Sequence, residues 1–538
     1  MQSPCRANSL ETIGLTGESD PTFGIPRLKS DTGPWIALAS PKWYVLFEVF
    51  SQPRLDPQSD VPLYQQLYKH VTELIRSGRL KRGERLPPTR ELAGLLGLNR
   101  TTVSAAYGLL ESDGLIAGHV GRGSYVTGGD TAAAEGLNWS AILEPVGASA
   151  AQPVVAGAIS FAVSRPSEDL FPIDDFRSSC QEVMAGADFA SVLQLGSPGG
   201  YEPLRQYLIE AAQQEGVMRS GDDLMITSGC QQALDLARRV LVRPGDRVVV
   251  EEPVFPGLKN LFVKGGAELI GIPVHSDGVD LLQLERALAK APVKAIVVTS
   301  NFQNPTGATL PGDARATVLR LARAMGAPLI ENDIYGQLRY EGAPIATIKQ
   351  LDETGDTILV RSFSKISFPG LRVGWAIGPR AFIGRMMDAK HLSDLHSDQL
   401  SQAALLRFAR SGRLEAHHQR VLKSGSERLA ATLTACQRYL PEGTEFTRPQ
   451  GGMNLWIRLP DPLDAGELLA RAQREGVSYL PGKYFSVNRP QPGALRLSFA
   501  GLEPEQIEKG VRILGEIFSS ELERLRGAWN REPAPAMV

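Results

Sequence analysis

The stretch Ser362-Phe363-Ser364-Lys365-Ile366-Ser367-Phe368-Pro369-Gly370-Leu371-Arg372-Val373-Gly374-Trp375 sets one lysine among hydroxyl side chains, with a Pro-Gly turn and an arginine downstream. The short apolar run Thr357–Val360 precedes it, so the stretch reads as strand, loop, strand. That reading gathers the Lys365 amine, the Ser362 and Ser364 hydroxyls and the Arg372 guanidinium around one small pocket. An amine able to form an imine, beside donors able to hold a dianion, suits an aldehyde cofactor carrying a phosphate. Taken alone, the stretch also fits an exposed loop with an ordinary lysine. The rest of the chain decides between the two.

Toward the N-terminus, Ser228-Gly229-Cys230-Gln231-Gln232 follows a strand-like Leu224–Thr227 and opens a helix. Free backbone N–H groups and the helix dipole favour a phosphate there. Further on come Glu252-Pro253-Val254-Phe255-Pro256-Gly257, then Phe302-Gln303-Asn304-Pro305-Thr306-Gly307, then Glu331-Asn332-Asp333-Ile334-Tyr335. Beyond Lys365 lies Leu495-Arg496-Leu497-Ser498-Phe499. Short β-branched runs (Arg247–Val250, Ala295–Thr299, Leu329–Glu331, Ile358–Val360) alternate with amphipathic helical stretches, the pattern of a doubly wound α/β sheet. From Ser397 on, long helices mix with strands such as Met453–Leu459 and Ala494–Phe499, which reads as a smaller α+β subdomain.

These pieces, in this order, resemble the aminotransferase superfamily of fold-type I pyridoxal-phosphate enzymes. The resemblance implies that pyridoxal 5′-phosphate (PLP) is bound as an internal aldimine on Lys365, the catalytic lysine. It places Phe255 on the pyridine face and Asn304 and Tyr335 at the phenolate oxygen. Ser362, Ser364 and Arg372 would hold the phosphate with Gly229, Cys230 and Gln231, and Arg496 would grip the carboxylate of a substrate or effector. Three positions depart from the enzyme pattern. Asn332 stands three residues before Tyr335, where an aspartate usually keeps the ring nitrogen protonated, and an amide cannot do this by charge. Asp333 is adjacent but faces the other side of a regular strand, so only a local bulge brings it to the ring. Leu195 replaces a tyrosine that reaches the neighbouring subunit's phosphate, and the Cys230 thiol is a weaker donor than a hydroxyl. Cofactor retention with weakened transamination is the expectation.

Residues 61 to 128 have a different character. Leu63, Leu67, Val71, Leu74 and Ile75 share one helical face, and Gly78 stops that helix. Leu86-Pro87-Pro88-Thr89-Arg90-Glu91-Leu92-Ala93 starts a second helix, with Thr89 as its expected cap, and Asn99 is placed to cap a third from Arg100 to about Asp113. Leu115–Val126 reads as two strands around Gly121-Arg122-Gly123. Helix, turn, helix and wing have the form of a DNA-binding module. From residue 62 to 126 nine basic residues face five acidic ones, a local excess of positive charge on a chain whose net charge is -2. The candidate contacts to double-stranded DNA are Arg85, Thr89, Arg90, Arg100, Thr101, Thr102, Arg122 and Gly123. The whole segment resembles the winged helix of the GntR regulators, and its fusion to the aminotransferase-like part is the arrangement of the MocR regulators.

The 538 residues bound the problem, with 43% hydrophobic and 22% charged side chains, as in an ordinary globular protein. Cys5, Cys180, Cys230 and Cys436 show no metal-type spacing, and no disulfide framework is expected, which suits a reducing cytoplasm. No apolar run approaches the about 18 residues of a membrane span, and the first 40 residues lack a signal-peptide pattern. The expected architecture is multi-domain: a winged helix-turn-helix, then an α/β aminotransferase fold of type I with a smaller C-terminal α+β subdomain. Its divisions are a poorly ordered extension (1–60), the winged helix (61–128), a linker (129–157), the aminotransferase-like domain (158–526) and a flexible tail (527–538). The MocR resemblance implies a homodimeric regulator whose effector is PLP itself or a small amino compound. The alternative is a working aminotransferase with an accessory DNA-binding domain. No metal site and no membrane partner are expected.

Overall fold

A computed structural model describes residues 61–119, 123–127 and 157–529, together with Leu55, Asp56, Leu143 and three short strands, Glu18–Ser19, Pro26–Leu28 and Ile36–Ala37. Apart from those residues, the expected extension and linker lie outside the described residues. The chain divides into two compact units, Met1–Pro145 and Val146–Val538.

In the first unit, α1 (Leu63–Arg76), α2 (Thr89–Leu96) and α3 (Arg100–Ser112) are followed by the hairpin β1 (Ile116–His119) and β2 (Gly123–Val126). The apolar stripe read from the sequence is the core: Leu67, Val71, Leu74 and Ile75 of α1 close on Leu92, Val103, Ala106 and Leu110. Asn99 caps α3 by accepting from the Thr101 N–H at 3.1 Å. Thr89 does not cap α2. Pro88 holds the cap position with extended backbone and Thr89 is the first helical residue, because a proline ahead of a helix needs no donor of its own there. The turn between α2 and α3 is Gly97 at φ 64°, a left-handed conformation that glycine adopts without strain.

In the second unit, α4 (Glu202–Glu215) leads into β3 (Asp222–Ser228), α5 (Gly229–Leu241), β4 (Arg247–Glu252), α6 (Pro256–Lys264), β5 (Glu268–His275) and β6 (Gly278–Val279). Four more strands complete the sheet: β7 (Ala295–Val298), β8 (Leu329–Asn332), β9 (Thr357–Ser362) and β10 (Val373–Pro379). Their order is β6-β5-β4-β7-β8-β9-β10-β3, with β5, β4, β7, β8 and β9 parallel and β6, β10 and β3 antiparallel to their neighbours. The central strands are buried on both faces, which is why they read as unbroken β-branched runs. One face packs Val248, Val250, Val297, Ile330 and Val360 under α5 and α6.

The smaller subdomain holds α7 (Arg413–Tyr439), the four-stranded antiparallel sheet β11 (Glu445–Phe446), β12 (Asn454–Arg458), β13 (Leu480–Pro481) and β14 (Ala494–Ser498), and α8 (Pro504–Trp529), which packs along α7. Helix α8 runs past residue 526, where the sequence reading set the tail. A second difference lies at the other end of this unit. Ile159–Ser160 pairs in parallel with Val477–Ser478, so the first residues of the unit join the subdomain built by its last hundred or so. A two-residue strand has no periodicity to read. Among the described residues no helix is long and apolar enough to cross a membrane.

Candidate functional site

The pocket lies at the carboxyl ends of the parallel strands, where open α/β sheets bind ligands. Lys365 follows β9, half-buried, and its Nζ donates to the Ser164 carbonyl at 2.7 Å. Among the described residues no carboxylate holds the amine, and it sits 5.5 Å from the centre of the Tyr335 ring. Asn304 Nδ2 donates to Tyr335 Oη at 3.2 Å, and Ser164 Oγ lies 3.4 Å from the same hydroxyl. Burial pushes the Tyr335 phenol up, but the Lys365 charge, Ser164, Arg496 and Asn454 outweigh it and hold the phenol below its usual range.

Asn304 is fixed by the turn that carries it. The Gln303 side chain accepts from the Thr306 N–H at 3.0 Å and the Thr306 hydroxyl at 2.7 Å, and donates to the Pro253 carbonyl at 2.7 Å. Arg496 reaches in from β14: Nη1 donates to Asn304 Oδ1 at 3.1 Å, Nη2 donates to the Ala162 carbonyl, and Nε has no partner among the described residues. The guanidinium lies 5.3 Å from the centre of the Phe485 ring. Burial pulls its pKa down to about 10, against the pull of the Tyr335 phenol. A buried guanidinium held only by neutral oxygens calls for an anion.

The other wall is a cradle for a phosphate-sized anion. Ser362 Oγ donates to the Val373 carbonyl at 3.1 Å, accepts from the Ser364 N–H at 3.1 Å and lies 2.9 Å from Ser364 Oγ. Arg372, at φ 55°, swings back so that Nη1 is 3.4 Å from Ser364 Oγ and Nη2 is 3.3 Å from the Ser228 carbonyl. Helix α5 begins here, and its first N–H groups have no partner within the helix. A Cβ on Gly229 would stand 2.3 Å from Arg372 Nη2, and one on Gly374 would stand 2.9 Å from the Cys230 nitrogen. Both positions are held open for the backbone. Cys230 is beside them; burial raises its thiol pKa, partly offset by Lys365 and Arg372. Gln231 instead donates to the Gly257 carbonyl at 3.2 Å and packs against the turn bearing Phe255, which is half-buried on the face under α5 and α6.

Asn332 and Asp333 separate. Asn332 pairs in register with Val360, so it shares the face of Ile330, Cys230 and Phe255, and its buried Oδ1 has no partner among the described residues. Asp333 turns to the other face. Its Oδ1 accepts from Asn301 Nδ2 at 2.7 Å and its Oδ2 from Arg361 Nε at 3.0 Å. The carboxylate is taken, and the inclusion of Asp333 among the cofactor ligands is corrected: regular strand alternation holds and no bulge intervenes. Leu195 is 72% exposed, outside this pocket. Sequence reasoning missed Ser164, Ala162, Asn454 and Phe485. None sits in a motif, and Ala162 and Ser164 arrive only because Ile159–Ser160 joins the smaller subdomain.

These residues fit a phosphorylated pyridoxal. The cradle has room where side chains would block it, the amine is unpaired by acid, and Asn332 Oδ1 and Arg496 Nε are left for a ligand to meet.

In the winged unit, Arg85, Arg90, Arg100 and Thr101 are exposed, and Thr89 and Thr102 are half-buried. Arg100, Thr101 and Thr102 form the first turn of α3. Arg85 lies across the base of the wing, its Nε 2.8 Å from where a Cβ on Gly123 would stand, with Gly123 at φ 93°. Arg122 falls outside the described residues.

Fold and site together define a fold-type I aminotransferase-like domain, and the comparisons add the second half. Residues 159–514 match the family "Aminotransferase class I and II", and residues 63–126 match "Bacterial regulatory proteins, gntR family". The chain is 32% identical to the Uncharacterized HTH-type transcriptional regulator YdcR of Escherichia coli, over 85% of this chain and 99% of that protein. It is 29% identical to the Probable rhizopine catabolism regulatory protein MocR of Rhizobium meliloti, over 86% and 95%. Among solved structures it resembles LysN, the alpha-aminoadipate aminotransferase of Thermus thermophilus complexed with N-(5'-phosphopyridoxyl)-L-leucine, at 31% identity and TM-score 0.67, covering 72% of this chain and all of that one. The chain belongs to the MocR-type regulators, in which a gntR-family DNA-binding domain is joined to a class I and II aminotransferase domain.

Proposed function

We propose that the chain regulates transcription by binding double-stranded DNA through its winged helix and PLP through Lys365, and that PLP or a small amino compound is its effector. The observation that carries this is the Lys365 amine: half-buried, held by one backbone carbonyl, and flanked by an anion cradle on one side and an uncompensated arginine on the other. When bound, the cofactor supplies an aldehyde that exchanges one amine for another. The protein's own groups divide the remaining work. Ser362, Ser364, Arg372 and the start of α5 hold the phosphate; Tyr335 and Asn304 meet the phenolate oxygen; Phe255 covers the ring; Arg496 receives the effector's carboxylate.

Asn332 favours this reading over a working aminotransferase. Its amide occupies the place on β8 that faces the ring, and an amide does not stabilise a protonated ring nitrogen by charge. The same surface that carries the cradle exposes Leu392 (88%), in the last turn of the helix Arg380–Asp394, and Leu395 (47%) just past it, close to Ser397, whose hydroxyl touches Ser228. A second copy of the chain would cover these leucines, and sedimentation should give a dimer. The test of function is fluorescence anisotropy with DNA from the neighbourhood of the protein's own gene. PLP, or PLP with an amine, should change the affinity of the wild type and leave Lys365→Ala unchanged. No preference over competitor DNA in either state would end this reading.

A further inference from the structure

One buried side chain at the pocket has no task in this account. Asn454 opens β12, and the β12–β14 register sets it opposite Ser498 and sets Trp456 opposite Arg496. Asn454 and Arg496 are therefore diagonal neighbours on one face of the sheet, about 7–8 Å apart between Cα atoms. Asn454 is 1% exposed. Its amide reaches toward the Tyr335 phenol and, as a weak hydrogen-bonding neighbour, helps hold that phenol's pKa down, but neither Nδ2 nor Oδ1 completes a hydrogen bond of good geometry with any described residue. The Tyr335 hydroxyl is engaged elsewhere, by Asn304 and Ser164.

Buried polar groups are almost always met, and those that are not mark a missing partner. Arg496 lacks an anion, and a ligand carboxylate supplies that. Asn454 lacks something different in kind, because an amide presents a donor and an acceptor together. A group that offers both in return completes it; a methyl or a thioether leaves both ends open. A ligand anchored by its carboxylate on Arg496 carries its side chain within reach of the diagonal neighbour.

We propose that Asn454 is the specificity-determining residue of this pocket, selecting α-amino acids with a hydroxyl or carboxamide side chain over apolar ones of the same size. The proposal rests on the reading of the pocket as the effector site for amino compounds, and it can fail while that reading stands.

Calorimetric titration of the full-length, PLP-loaded protein with the near-isosteric pairs threonine/valine and asparagine/leucine tests it. The wild type should bind the polar member of a pair about tenfold or more tightly, since an unmet buried partner is costly to leave. Asn454→Leu should move the polar-to-apolar ratio toward the apolar member by at least about tenfold, and Asn454→Ser, which puts a smaller polar group in place of the amide, should lie between. Circular dichroism checks that each variant folds; if Asn454→Leu does not, the ratio in Asn454→Ser decides. A ratio unchanged by the substitution, or an equal loss for both members, overturns the assignment and leaves the effector site standing. Failure of every α-amino acid to bind a wild type that still takes up PLP overturns both.

Discussion

Asn332 ends β8 and Asp333 follows it, both buried, yet they meet opposite sides of the sheet. Asp333 is fixed by Arg361, whose two Nη atoms are in turn held by Glu215 at 2.6 and 2.7 Å, so its carboxylate is spoken for. Asn332 keeps an open oxygen on the face where the cofactor ring would lie. A carboxylate at that place would stabilise a protonated ring nitrogen by its charge. Asn332→Asp should therefore speed single-turnover amino transfer by roughly tenfold for each 1.4 kcal/mol gained. Absorbance of the cofactor after mixing with an amino donor reads this, and an unchanged rate would place the ring nitrogen elsewhere. Arg496 gives a second prediction at this scale. Arg496→Gln should weaken ligands bearing a carboxylate by about 10- to 100-fold, the loss of a charge-assisted pair, and should leave amines without a carboxylate nearly unaffected. Titration of matched ligands would show it, and equal losses for both classes would contradict it.

The elements around the cradle depend on backbone that the sequence only hinted at. Gly229 has φ 76° and no room for a Cβ against Arg372. Gly229→Ala should cost about 1–2 kcal/mol for the left-handed backbone and lower PLP affinity by displacing the guanidinium. Equilibrium binding and urea melts measure both, and unchanged PLP affinity would remove Arg372 from the cradle. Helix α7 carries a second sensitive point. His417 stacks on Phe368, which follows Lys365 in the same loop, at 6.0 Å and 3° between planes, and neither ring nitrogen has a partner among the described residues. Burial pulls its pKa down to about 4, helped by Arg420 and His418. The folded state thus resists a proton that the unfolded chain takes up near its ordinary 6.5. This group's contribution is present at pH 7 and is lost as the pH falls from about 6.5 toward 4. His417→Phe should flatten that slope in urea melts at pH 5 and 7; a slope equal to the wild type's would contradict it.

At this scale the sequence was uneven. The parallel strands and α5 were legible because burial on both faces leaves unbroken β-branched runs, and the observed ends fall within a residue or two of those expected. The Ile159–Ser160 strand was not, because its pairing partner lies more than 300 residues away and two residues carry no pattern. Ser164 was lost with it, and Asn454 was invisible because nothing local marks an amide as unmet. Thr89 is no cap for a local reason: Pro88 takes the cap position with extended backbone, which makes Thr89 the first helical residue, and α2 starts without a side-chain cap.

For the molecule as a whole, a net charge of -2 conceals a basic winged helix, nine basic against five acidic residues between 62 and 126. Its affinity for DNA should fall steeply with salt, and Arg100→Ala should reduce the slope of log affinity against log salt by about one. Anisotropy titrations at several salt concentrations test this, and an unaltered slope would take α3 away from the phosphates. The second unit carries the costlier commitment, a large α/β body whose pocket keeps Lys365, the cradle and Arg496 but sets an amide where the ring nitrogen would look for an acid. Sensing explains that combination more simply than turnover does. The measurement that bears on it most directly is reduction of the PLP-loaded protein with borohydride, followed by mapping of the labelled peptide. The label is predicted on Lys365 alone; a label on any other lysine, or none at all, would contradict the account.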